Sequence, residues 1–201
     1  MKIAVTGGIG SGKSKVVQLI GELGYPTFSC DEIYKEIANR GEYITRIAEV
    51  FPASIENGVL DRRKLSEIVF SDEKRRAQLN NIAHPLIMKK LFEQMEAYND
   101  SLTFAEVPLL FEGRYENQFD FVIIVQRNLE ERISAIKLRD GLSDEEIADR
   151  IKAQFDYNSL SIKNDFFKNN FFILENNSTI EELKKQLNKI IEHLKTATVK
   201  H

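Results

Sequence analysis

The chain has a single cysteine, Cys30, in 201 residues. That excludes an internal disulfide and a cysteine-based zinc site. One thiol suits a reducing compartment, and its plainest reading is a small buried filler at a strand end. No apolar run approaches the ~18 residues that a membrane span needs. The start, MKIAVT, carries one lysine and then enters a strand-like run. It lacks the longer apolar segment and small-residue cleavage site of a signal peptide, so the expectation is a cytoplasmic protein with no membrane partner. An excess of one charge is also missing. The 28 Lys and Arg against 31 Asp and Glu leave a net charge of −3, which gives no global reason to expect nucleic acid as a partner. No internal repeat and no low-complexity linker divides the chain. What remains is a length and composition suited to one compact soluble domain with small inserted lobes.

Apolar runs and helical patterns alternate along it. KIAVT (2–6) reads as a buried strand. Val16, Val17, Leu19, Ile20 and Leu23 then form a helical stripe ending at Gly24. PTFSC (26–30) is a second strand, followed by helix from Glu32 to Phe51 with a break near Gly41. ENGVLD (56–61) is a turn into a long helical region that ends near Tyr98. LTFAEV (102–107), FVIIV (121–125) and FFIL (171–174) are three further strands. Residues 129–168 read as charged helix, and Ile180 to Leu194 as the closing helix with a frayed tail. Short apolar strands separated by helices predict a parallel five-stranded sheet covered on both faces. Two segments, 57–98 and 129–168, are too long for simple crossovers and read as lobes mounted on that sheet.

The first strand runs into GGIGSGKS (7–14), which fits G-x-x-x-x-G-K-[ST] with a helix after it. The residue types follow from the chemistry. Glycines let backbone N–H groups wrap a phosphate, and the helix N-terminus adds partial positive charge. Lys13 reaches the β- and γ-phosphates, and Ser14 is the candidate Mg²⁺ ligand. The loop therefore predicts nucleotide binding, without saying what is done with the nucleotide.

A GTPase switch would carry N-K-x-D, and the one Asn-Lys pair, Asn188-Lys189, continues Ile-Ile. A motor ATPase would end a four-residue apolar strand in Asp. FVIIV ends in Gln126 and Arg127, and LTFAE offers Glu106 as an imperfect substitute. Asp31 follows the second strand. It reads equally as a group facing a transferable phosphoryl, by accepting a hydroxyl proton or holding Mg²⁺ through water, and as a helix N-cap.

The combination of TGGIGSGKS at 6–14, SCDEI at 29–33, LDRRKLSEIVF at 60–70, IAHPLI at 82–87, VPLLFE at 107–112 and RIKAQ at 150–154 resembles the dephospho-coenzyme A kinase family. The motifs stand in that family's order over nearly the whole chain. The resemblance implies an α/β three-layer P-loop NTPase fold with a helical acceptor-binding lobe and a lid. Its core is 1–56, 99–128 and 169–195, the acceptor lobe about 57–98 and the lid about 129–168. It implies Mg²⁺ and ATP-dependent phosphorylation of the ribose 3′-hydroxyl of dephospho-coenzyme A by a monomer or weak homo-oligomer.

By the same resemblance Asp31 is the catalytic base, with Lys13 and the lid residue Arg139 stabilising the transferring group. Gly8, Gly10, Ser11, Gly12, Lys13, Ser14 and Lys15 hold ATP, with Asn176 beside its base. Arg62, His84, Pro108, Leu109, Leu110 and Glu112, together with Asp31, bind the acceptor. Arg62 matches L-x-R-x-x-L and suits the acceptor's pyrophosphate. Arg63 reads as solvated. His84 is an acceptor-site or structural residue, not a base, and Pro85 suits a first helical turn. Glu112 reads equally as a turn acid. Arg132 and Arg150 fit a solvated helix face about as well as a phosphate role. The chain departs from the family pattern at Ser29, where the first acid of D-x-D is common, at Lys15, where threonine is usual, and in FDYNSLSIKNDFFKNN (155–170). A kinase for another small acceptor shares Lys13, Ser14 and Asp31. A nucleotide-binding regulator would not need the acceptor lobe.

Overall fold

The computed structural model describes residues 1–70, 72–98, 102–157 and 170–198. In chain order the elements begin with β1 (Lys2–Thr6), α1 (Lys13–Glu22), β2 (Thr27–Ser29), α2 (Cys30–Ile37) and α3 (Gly41–Val50). A short hairpin of β3 (Ile55–Glu56) and β4 (Val59–Leu60) leads to α4 (Arg62–Phe70) and α5 (Glu73–Glu96). Then come β5 (Thr103–Glu106), β6 (Phe121–Gln126), α6 (Leu129–Asp140), α7 (Asp144–Lys152), β7 (Phe171–Glu175) and α8 (Ile180–Thr198). They divide into two compact units, Met1–Phe28 with Tyr98–His201, and Ser29–Ala97.

The first unit holds the five-stranded sheet, in the order β2-β5-β1-β6-β7. β1 pairs in parallel with β5, from Lys2↔Thr103 to Val5↔Glu106, and with β6, from Ile3↔Phe121 to Thr6↔Ile124. β6 pairs in parallel with β7. A strand with neighbours on both edges and helices on both faces must be apolar throughout, and Ile3, Ala4 and Val5 are fully buried. Val16, Leu19 and Ile20 of α1 and Leu187, Ile191 and Leu194 of α8 join Val5, Ile123 and Leu174 in one core. Each such burial contributes about 1.5–3 kcal/mol. Because β5 and β6 flank β1, the strand order reverses there. Such a reversal opens a crevice beyond the C-terminal strand ends, where the chain of β1 enters the glycine loop.

The charged region read as helical divides into α6 and α7. Gly141, in the left-handed conformation with φ 65°, ends α6. Ser143 and Glu146 form a reciprocal capping box that starts α7. The chain leaves the helix after Lys152, and the rest of the predicted lid, 158–168, lies outside the described residues.

In the second unit α2, α3 and α4 each pack on α5, burying Ile33, Ile37, Ile47, Leu65, Met88 and Leu91. β2 stops at Ser29, so Cys30 opens a helix instead of closing a strand. Its burial, at 8% exposure, agrees with the reading of a small filler. The predicted break near Gly41 falls at 38–40, with Gly41 as the first residue of α3. Residues 56–61 form a turn as expected, with Asn57 and Gly58 both at positive φ. The turn also pairs its flanks as a two-residue hairpin. Pro85 corrects the sequence reading. It sits in the middle of α5 and not in a first turn. An interior proline costs about 3 kcal/mol. The seam of Ala83, Met88, Leu91 and Met95, buried on either side of it, outweighs that cost and carries the helix through.

Candidate functional site

In the first unit, Gly7 to Gly12 join β1 to α1. Geometry dictates several of these glycines, Gly10 and Gly12 among them. Gly10 has φ 78° and Gly12 φ 95°, backbone that L side chains rarely adopt. A Cβ on Gly10 would lie 2.7 Å from the backbone oxygen of Arg132, and one on Gly12 would collide with the Asn176 amide. Gly10→Ala is therefore expected to cost about 2 kcal/mol from the left-handed backbone alone, more with the clash. Thermal unfolding of the variant checks it, and an unchanged Tm would contradict this description of the loop.

Lys13 is the first residue of α1. Its ammonium lies across the loop, donating to the carbonyls of Gly7 (2.8 Å) and Gly8 (3.1 Å). Ser11 lies under the loop at 1% exposure, and its hydroxyl finds no hydrogen-bond partner among the described residues. An orphan donor of this kind calls for a partner from outside the protein. The Ser14 hydroxyl donates to Glu106 Oε1 at 2.9 Å. Sheet register explains the meeting: Val5↔Glu106 puts the last residue of β5 level with the end of β1. Glu106 is 9% exposed. Sequence reasoning set this acid aside as imperfect, although a carboxylate closing a buried apolar strand was the available signal. Hydroxyl and carboxylate oxygens suit a hard divalent cation. No group of three or more His, Cys, Asp or Glu gathers as a metal site among the described residues. A divalent cation such as Mg²⁺ commonly takes one or two protein oxygens and completes its shell with phosphates and water.

The backbone of the loop is gripped from the other end of the chain. Arg132 Nε donates to the Ile9 carbonyl at 2.9 Å, and the Ile9 N–H donates to Gln154 Oε1 at 2.6 Å. Asn176 Nδ2 donates to the Ser11 carbonyl at 2.9 Å. Tyr157 OH meets Thr6 Oγ1 at 3.1 Å. Burial pushes the Tyr157 pKa up to about 12, so it remains a neutral phenol at physiological pH. Arg132 is no solvated face residue. Burial lowers its pKa, yet a guanidinium stays charged.

Arg139, expected to meet phosphates, instead forms a two-bonded fork on Asp140 at 2.7 and 2.8 Å. That hydrogen-bonded pair holds the Asp140 carboxyl below its ordinary range. Its neighbour Leu138 is 91% exposed. Lys15 donates to Gln18 from the exposed side of α1. After β5, Leu110 is fully buried while Pro108 and Leu109 are half-buried. Glu112 Oε1 accepts the Phe155 N–H at 2.8 Å.

In the second unit, Asp31 occupies the first turn of α2, with an exposed side chain. The N-cap is Ser29, so capping does not account for the acid. One turn later Tyr34 OH lies 3.2 Å from the OH of buried Tyr43. Burial, then Tyr34, raise the Tyr43 pKa, and the charge of Arg62 opposes the rise. Arg62 itself donates to Asn39 Oδ1 at 3.0 Å. Asp31, Tyr34, Asn39 and Arg62 thus belong to one unit. Arg63 is 88% exposed and pairs with Glu67 on its own helix, as its solvated reading expects. His84 is half-buried on α5.

A family model described as dephospho-CoA kinase matches residues 1–182. A dephospho-CoA kinase of Thermus thermophilus is 35% identical over 193 residues, covering 96% of this chain and 91% of the relative. One of Bacillus cereus is 35% identical over 196 residues, covering 94% and 95%. Among solved structures, TT1252 from Thermus thermophilus superposes with a TM-score of 0.78 at 34% identity, over 96% of this chain and 97% of the other. Dephospho-CoA kinase from Campylobacter jejuni gives 0.69 at 29%, over 98% and 100%. A shikimate kinase from Acinetobacter baumannii, at 15% identity and a TM-score of 0.53 over 98% and 93% of the two chains, shares the fold.

Proposed function

The chain belongs to the dephospho-CoA kinase family, and from that premise we propose how its own residues transfer the γ-phosphoryl group of ATP to the ribose 3′-hydroxyl of dephospho-coenzyme A. The products are coenzyme A and ADP, the last step of coenzyme A synthesis. The observation that carries the reading is the glycine loop with Lys13 laid across its carbonyls and Ser14 paired to Glu106.

The loop N–H groups and the N-terminus of α1 take the β-phosphate, and the Ser11 hydroxyl gains the partner it lacks. Lys13 moves its donors from the loop carbonyls to β- and γ-phosphate oxygens. Ser14 and Glu106 would hold Mg²⁺, which when bound neutralises charge on the β- and γ-phosphates. The acceptor 3′-oxygen attacks the γ-phosphorus as the bond from that phosphorus to the bridging oxygen breaks, and ADP leaves with the electron pair. The hydroxyl proton passes to Asp31. In a loose transition state little of that transfer is needed early, so most of the rate comes from position and charge. Arg139 leaves Asp140 for the transferring group, from a lid spanning about 129–168. Lys15 offers its backbone N–H to the α-phosphate, and Asn176 lies on the base side.

The acceptor lobe is about 57–98. Arg62 takes the acceptor pyrophosphate, with His84 as a further binding group. Pro108 and Leu109 form apolar wall, with Leu110 behind them and Glu112 in the same loop. The protein works in the cytoplasm as a monomer or weak homo-oligomer. No helix of the described residues is long and apolar enough to cross a membrane.

Two measurements test this. ADP release, followed by a coupled assay, rises on addition of dephospho-coenzyme A. No stimulation would remove the assigned acceptor. Arg62→Ala raises the KM of the acceptor by about tenfold or more, as loss of one charge-assisted contact predicts, and leaves ATP affinity unchanged. An effect confined to ATP would contradict the placement of the lobe.

A further inference from the structure

The glycine loop has one residue whose two backbone groups are both held by side chains from far along the chain. The Ile9 carbonyl takes Arg132 Nε, and the Ile9 N–H takes Gln154 Oε1 at 2.6 Å. Gln154 opens a four-residue stretch that follows α7, and Tyr157 closes it. The Tyr157 hydroxyl is bonded to Thr6 Oγ1 at 3.1 Å. Between them the Phe155 N–H is fixed by Glu112. The Phe111, Phe155 and Tyr157 rings pack with centroids 4.7 to 5.8 Å apart. Residues 154–157 are therefore a strap. It is anchored on one side by Glu112 and Phe111, and it is tied on the other to Thr6 and Ile9.

The physical effect of such a strap falls on the loop. A glycine-rich segment has much backbone freedom to lose on ordering. Beyond Lys13 and Ser11, which bond the carbonyls of Gly7 and Gly8, the first half of this loop is held by the strap and Arg132. A loop ordered before the nucleotide arrives loses less freedom on binding, and the gain appears as affinity.

We propose that Gln154 and Tyr157 are positioning residues for nucleotide binding, which pre-order the first half of the phosphate loop through Ile9 and Thr6 without touching the nucleotide. Glu112 serves the same strap and needs no substrate to justify its place. The inference rests on the reading that this loop takes the triphosphate.

The test uses the full chain with Gln154→Leu, Tyr157→Phe and, as control, Lys13→Met. Each is measured for dissociation of a fluorescent ATP analogue, KM of both substrates, kcat and Tm. Gln154→Leu leaves the Ile9 N–H without its partner and is expected to weaken ATP binding about tenfold. Tyr157→Phe removes one oxygen, keeps the ring packing and is expected to weaken it about threefold. In both, kcat and the acceptor KM stay within about twofold of the parent. Nucleotide affinity unchanged in both variants, with only Tm lowered, overturns the proposal. So does a loss shared equally by kcat and the two KM values. If Lys13→Met leaves ATP binding and turnover intact, the triphosphate reading itself fails. If Lys13→Met is crippled and the two strap variants bind normally, only the strap inference falls.

Discussion

Replacing Lys13 by methionine is expected to lower kcat/KM for ATP by about a thousandfold, the scale seen when a preorganised charge is removed from a transferring group. Methionine keeps most of the stem and its packing, so the buried position is not emptied. What goes is the ammonium, and with it two things. The carbonyls of Gly7 and Gly8 lose the donor that bridges them, which loosens the loop and weakens ATP binding. The developing charge on the β- and γ-phosphate oxygens loses a cation, which lowers kcat. Measuring ATP dissociation separately from single-turnover chemistry resolves the two parts. A total loss smaller than tenfold would mean that the lysine serves only the loop.

Asp31→Asn is expected to lower kcat by about 10²–10⁴-fold, the usual range for a positioned proton acceptor, while ATP dissociation is unchanged. The exposed carboxylate lies in the first turn of α2, and Ser29, not Asp31, is the N-cap. Its loss from that turn costs about 0.3–1 kcal/mol through the helix dipole, so Tm falls little. Activity and stability thus separate cleanly at this position. Turnover within threefold of the parent would retire Asp31 as the base. Asp31→Glu gives a finer reading, since it keeps the charge and moves it by one methylene. Recovery of most of the rate would assign the residue to holding the hydroxyl and its metal, because such work tolerates displacement better than direct proton acceptance does.

Most of the sheet was legible in the sequence because buried parallel strands carry their pattern locally. KIAVT and FVIIV are nearly all apolar, and both strands have a partner on each edge. The loop was legible for the same reason, as its glycines answer to local φ angles. β2 was overextended because proline and cysteine at its flanks look equally like strand. The hairpin at 55–60 was missed because two-residue strands are too short to show a period. Pro85 misled because local preference speaks for a helix start, while the decision lay with apolar residues packed on three other helices. The partners of the loop were hidden for a different reason. Arg132 and Gln154 meet Ile9 across 123 and 145 residues, and nothing in their own neighbourhoods marks them. Helical periodicity makes Arg132 look like a surface charge, and Gln154 is an ordinary residue after a helix. Such bonds become visible only once the sheet has brought the end of β1 and the segment after α7 together.

The solitary thiol has a practical use. Cys30 is shut inside the second unit at 8% exposure, so the native surface offers a maleimide dye almost nothing to react with. Leu138 projects from α6 at 91% exposure, next to Arg139. Leu138→Cys would create one addressable sulfur, and its fluorescence during nucleotide titration would report whether that helix end changes surroundings as ATP arrives.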